Sequence, residues 1–192
     1  MAAPGAAATP APAAPGQRFV IAPGESTVTY RVDETLFNEG NRVNTAVGTT
    51  TAVRGEIFID RARPVNSRIG PITVDISQFK SDSDRRDNAI RRQWLESAKY
   101  PMAVFTATAI KGLPDTYETG RAVSVQITGN LKIRDVTRPT TWGATITLDG
   151  PTLTVVGSTT IKMTDFGFTP PAIIFLRTQD EMRLEFRFVA HG

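Results

Sequence analysis

Apolar and polar residues alternate along most of the chain from Arg18 onward. Val28, Tyr30 and Val32 fall on one face of an extended segment; Ile57 and Ile59 share another, with Glu56, Phe58 and Asp60 opposite. Ile72, Val74 and Ile76 repeat the pattern. So do Val123, Val125, Ile127, Leu131 and Ile133, interrupted at Gly129, and then Trp142, Ala144, Ile146 and Leu148. Leu153, Val155, Ile161 and Met163 follow. Met182, Leu184, Phe186 and Phe188 come last, with Arg183, Glu185 and Arg187 between them. A period of two turns one set of side chains to an apolar interior and the other to water. Sustained this far, it predicts an antiparallel sheet wet on one side. A sheet that long curls and closes, which removes its edges. The expected fold is all-β, a closed antiparallel barrel.

Turn residues punctuate the runs. Asp149-Gly150-Pro151 reads as a hairpin turn, and Lys111-Gly112-Leu113-Pro114-Asp115 ends another strand. Pro139 is expected at or just before the start of a strand, because proline cannot donate within a ladder. One segment departs from the period of two. Ser83 to Ala98 reads as a short helix packed on the barrel, capped by Ser83 or Asp84 and carrying Asp87 in its first turn. Ile90, Trp94 and Ala98 recur every fourth residue and Leu95 widens the stripe. Tyr100-Pro101 stops it.

Composition narrows the chemistry. The chain has 192 residues, enough for one domain with a substantial core plus a tail. Residues 2–16 are almost entirely Ala, Pro and Gly. We therefore expect residues 1–17 to be a disordered tail or a tether, and residues 18–192 to form the barrel domain. With no cysteine, disulfides, thiolate metal sites and thiol nucleophiles are excluded, and His191 is the only histidine. No cofactor or metal is expected. A net charge of +3 does not argue for nucleic acid. No apolar run approaches the ~18 residues of a membrane span. No signal peptide is visible at Met1-Ala2-Ala3-Pro4-Gly5.

Three stretches carry a family resemblance. The ordered set Arg86-Asp87, Ile90-Arg91, Trp94-Leu95, Tyr100-Pro101 and Phe105 resembles the central motif of YceI-like proteins. Gly129 to Pro139 resembles that family's hairpin, with Asp135 where a glycine is usual; Asp tolerates the left-handed turn geometry expected there. Gly55 to Asp60 and the later Asp165-Phe166-Gly167 also fit. The resemblance covers residues 18–190. It implies a lipocalin-like barrel of about eight strands, often homodimeric, exported in many bacteria, with a polyisoprenoid chain in its apolar interior. A setting outside the cytoplasm (periplasmic, secreted or surface-tethered) follows if an export segment precedes residue 1. The family's common histidine in the first strand region is missing from Ser26 to Asp33, so no haem or metal role carries over.

The candidate site follows from both readings. Trp94, Phe105, Leu131, Ile133, Trp142, Phe166, Phe168, Phe175 and Phe186 could line a pocket for a lipid tail or simply fill a small barrel. Arg85, Arg86, Arg91 and Arg92 could meet an anionic headgroup, since guanidinium forks match phosphate oxygens. Asp82, Asp84, Asp87 and Glu96 interleave them, which equally describes a solvated helix face. Gly167 to Leu176 carries two prolines and a concentrated apolar run, and reads as a buried strand, a dimer contact or the pocket mouth. Thr35 to Val47 reads as a polar loop or lid. The leading expectation is a non-catalytic protein that binds, sequesters or carries a polyisoprenoid or quinone-like amphiphile. The alternatives are a filled barrel acting as an interaction module, and an enzyme using Asp60, Asp75 or Asp165 on a bound lipid.

Overall fold

Thirteen strands and one short α-helix are present among the described residues, 16–192 of a computed structural model. In chain order the strands are β1 (Gln17–Ile21), β2 (Thr27–Leu36), β3 (Arg42–Thr50), β4 (Val53–Arg54), β5 (Glu56–Ile59), β6 (Arg68–Ile69) and β7 (Ile72–Asp75). They continue with β8 (Met102–Lys111), β9 (Ala122–Ile133), β10 (Val136–Asp149), β11 (Thr152–Lys162), β12 (Ala172–Ile173) and β13 (Leu176–His191). The helix, α1 (Asp84–Ala89), lies between β7 and β8. The expectation for the Ala/Pro-rich stretch falls mostly outside the described residues; strand β1 already begins at Gln17.

All pairings are antiparallel. They run β7–β8–β9–β10–β11–β13, after which β13 pairs with β2 along Leu176–Arg187 and with β1 at Ala190 and His191. Strand β2 pairs with β3. From β3 the chain passes through Thr51 and Ala52 into β4, which pairs with β7. The sheet therefore curls back to where it began. Eight walls make this circuit. The larger strand count comes from β3–β4 being one bent wall and from the short β1, β5, β6 and β12, which lie off it. The inward positions of the long strands form one buried cluster.

Gly129 shows why alternation breaks where it does. A Cβ there would lie 2.4 Å from the Thr106 carbonyl oxygen and 2.6 Å from the Phe105 ring. The ring lies over the glycine, and no side chain fits between them.

Four local expectations are corrected. Pro139 is the fourth residue of β10, not its start. It pairs with Asn130 of β9, but β11 joins β10 only from Gly143 onward, so the missing donor sits where the strand has one neighbour. In the two-residue β9–β10 turn, the left-handed residue is Arg134 (φ 56°) rather than Asp135. Thr35 to Val47 is not a lid: eight of its thirteen residues continue the β2–β3 hairpin, and the other five, Phe37–Asn41, form its tight end. The helical run stays α only to Ala89, then widens to a π turn over Ile90–Trp94, marked by the Leu95 N–H bond to the Ile90 carbonyl at 2.8 Å. Glu96, at φ 46°, ends it.

Candidate functional site

The inward faces of the barrel walls, α1 and the Pro171–Leu176 segment enclose a cavity of about 570 Å³. That size suits a small-molecule or lipid pocket. The lining is overwhelmingly apolar. Trp94, Phe105, Leu131, Ile133, Trp142, Phe168, Phe175 and Phe186 all contribute to it. Trp142 anchors the aromatic wall, with edge contacts to Phe105 at 5.9 Å and Phe186 at 5.3 Å; Phe186 stacks on Phe188 at 4.4 Å. Gly157 admits the Phe186 ring as Gly129 admits Phe105, since a Cβ there would lie 2.6 Å from it.

Phe166 is the exception. It is buried in the core but does not line the cavity. Alternation would put it on the same side as Phe168. Gly167, at φ 76°, turns the chain between them and separates their roles.

The polar lining is small and gathers around α1. Glu34, Ser83, Arg85, Arg86 and Gln93 supply most of it. Glu34 was missed in the sequence, although it stands at the next inward position after Val32 in the alternating β2. Its side chain is 9% exposed and accepts from Arg86 Nη2 at 3.3 Å. Arg86 also pairs with Asp82 and donates to Ser81 Oγ at 3.3 Å. Asp87, buried, accepts from the Ser81 N–H at 3.0 Å and the Ser81 hydroxyl at 2.6 Å. Thus the two motif residues brace the α1 entrance separately and do not pair with each other. Arg86 is a structural cation, fully engaged by Glu34 and Asp82.

The arginine cluster is divided. Arg85 is exposed, lines the cavity, and its side chain has no hydrogen-bond partner among the described residues. Arg91 donates to the Phe79 carbonyl at 3.1 Å and to Asn88 at 3.3 Å, and Arg92 is exposed; neither lines the cavity. In an uninterrupted α-helix Arg85 and Arg92, two turns apart, would share a face. The π turn changes the rotation between them, so the four arginines do not form one headgroup site.

Arg134 was also missed. It donates to the Trp94 carbonyl at 3.0 Å and stacks over Phe168 at 5.3 Å, while Trp94 Nε1 donates to the Thr169 carbonyl at 3.0 Å. These contacts fasten the end of the helical segment to the barrel. Only its place in a two-residue turn marked Arg134 in the sequence.

Asp60, Asp75 and Asp165 do not line the cavity. The Arg63 N–H, with help from Asn66 and Ala62, holds the Asp60 carboxyl below its usual range, opposite to the shift a general acid needs. Tyr30 does line the cavity, and burial, reinforced by the Asp87 and Glu34 carboxylates against Arg86, pushes its phenol up to about 12. The folded state thus favours the neutral phenol. Its contribution to stability is intact below pH 10 and is lost as pH rises from there through about 12. In an alkaline absorbance titration, Tyr30→Phe should remove a phenol that ionises near pH 12; an unchanged high-pH limb would count against this burial.

Among the described residues no group of three or more His, Cys, Asp or Glu could hold a metal ion, and no helix is long and apolar enough to cross a membrane.

Comparison with known proteins agrees with the geometry. The YceI-like domain model matches residues 19–190. A UPF0312 protein of Pseudomonas savastanoi pv. phaseolicola is 29% identical over 123 residues, 61% of this chain and 60% of that protein. Protein YceI of Escherichia coli O6:H1 is 30% identical over 95 residues, 49% of this chain and 45% of that one. The chain thus spans about 60% of the length of the first of these relatives. Among solved structures, BcnA of Burkholderia cenocepacia has a TM-score of 0.67 at 20% identity, covering 88% of this chain and 98% of its own. A polyisoprenoid binding domain from Saccharophagus degradans has a TM-score of 0.66 at 12% identity, covering 91% and 98%. At those identities the likeness is one of fold.

Proposed function

The chain belongs to the YceI-like domain family, and on that premise we propose that it binds a long-chain apolar lipid, a polyisoprenoid or quinone-like amphiphile, inside the barrel. The observation that carries the reading is the apolar cavity of about 570 Å³. Tail burial supplies the affinity, at about 25 cal/mol per Å² of apolar surface removed from water. The walls therefore need few polar contacts to hold a tail. The polar groups near α1 leave a headgroup at that end, where the Arg85 side chain has no ion-pair partner among the described residues. Binding of this kind serves sequestration or transport, without chemistry on the lipid. A solid interior would favour a purely structural module; the open cavity speaks against it.

Native mass spectrometry of freshly purified protein, with organic extraction of any bound species, tests this. A reproducible adduct that extracts as a long-chain lipid is the expected result. A clean apo mass that added polyprenyl phosphates and quinones leave unshifted would refute it.

A further inference from the structure

Nine large apolar side chains are exposed among the described residues. Val20, Val65, Met102 and Val156 stand on separate elements, as scattered apolar residues do on any soluble surface. The other five gather on two neighbouring hairpin ends. Phe37 and Val43 lie at the end of β2–β3; Ile173 ends β12, and Ile174 and Phe175 link it to β13. The Phe37 N–H bond to the Phe175 carbonyl, 2.9 Å, ties the two ends together, and Leu36 pairs with both Leu176 and Arg42. Ile174 is 98% exposed. Ile173 and Phe175 belong both to this patch and to the cavity wall. The apolar lining thus runs out through the mouth onto the surface.

We propose that this rim docks the protein on a lipid bilayer bearing anionic headgroups, with Ile174 and Phe175 entering the apolar layer. Cargo then passes between bilayer and cavity without crossing water. The charges around the rim select this partner. Arg177, opposite Thr35 and Ala172, and Arg85 at the cavity have no paired carboxylate among the described residues. Arg42 is partnered by Glu39 at 3.0 Å, and Glu34 is held inside by Arg86. Of the acids near α1, Asp82 pairs with Arg86 and Asp84 is exposed in the helix's first turn. An apolar tip with Arg177 beside it, opening into a cavity that Arg85 lines, suits an anionic interface. The passage of cargo rests on the cavity being a lipid site; docking is read separately.

The test is co-sedimentation of the full chain with vesicles of phosphatidylcholine alone, or mixed with phosphatidylglycerol. We expect stronger binding to the anionic vesicles, weakened by added salt. Ile174→Asp should reduce binding roughly tenfold or more, as expected for losing a buried isoleucine. Because Ile174 is almost wholly exposed, near-UV circular dichroism should stay unchanged. Arg177→Glu should remove the preference for phosphatidylglycerol. The proposal falls if the parent chain binds neither vesicle, or if Ile174→Asp binds as the parent does. It also falls if sedimentation velocity finds a dimer that Ile174→Asp dissociates, which would assign the rim to a second copy. Vesicle binding by a chain that carries no lipid adduct would uphold docking and refute only the cargo.

Discussion

A chain with phenylalanine at both Ala46 and Ala103 is expected to fold and to purify without lipid. The two alanines are buried on β3 and β8, and both line the cavity. Their small size leaves open the space a tail would occupy. Enlarging a side chain in a packed core costs about 1–3 kcal/mol. Here the added rings enter a void, where they recover dispersion contacts that an unfilled wall lacks. The thermal midpoint should therefore stay within a few degrees (~) of the parent's while the adduct disappears from the native mass spectrum. Val156→Phe, on the exposed outer surface, is the control and should keep the adduct. If the double variant retained lipid at full occupancy, the tail would have to lie somewhere other than this cavity.

Arg86→Ala should cost about 3 kcal/mol of stability, because it strands Glu34 as a buried charge without its partner. The two side chains are 21% and 9% exposed, so water screens little of the loss. Alanine is itself a strong helix former, so weakened α1 propensity does not account for the effect. The ion pair itself need not be stabilising. Replacing both partners with apolar residues, Glu34→Leu with Arg86→Met, should recover much of what Arg86→Ala loses. Urea unfolding of the single and double variants separates these terms. A single variant within about 1 kcal/mol of the parent would mean Glu34 is not dependent on Arg86.

What the sequence disclosed follows from how far each interaction reaches along the chain. The alternating runs identified the inward faces of β2, β9, β10, β11 and β13, because a strand's side-chain direction depends only on its neighbours in sequence. Four of the proposed tail-pocket residues, Leu131, Ile133, Trp142 and Phe186, line the cavity for that reason. Phe166 failed because one left-handed glycine breaks the count. The polar end was less legible. Glu34 and Arg86 meet across 52 positions, and only the closed barrel brings them together. The π turn that separates Arg85 from Arg92 has no period of its own to read. The rim at Ile173–Phe175 was visible as an apolar run, but its joining to Phe37 depends on a pairing between distant hairpins.

Strand β13 has a consequence for how the molecule is made. Its 16 residues pair with β11 along one edge and with β2 and β1 along the other, and all of these partners precede it in the chain. During synthesis, the earlier hairpins can form as they emerge, but the ring cannot close until β13 arrives. Until then the inward apolar faces stay open, and closure must draw together segments as far apart as Ile21 and Ala190. Such non-local pairing is slow. A nascent chain held just short of β13 should thus be a ready client for chaperones, and lipid could enter it before the wall is complete.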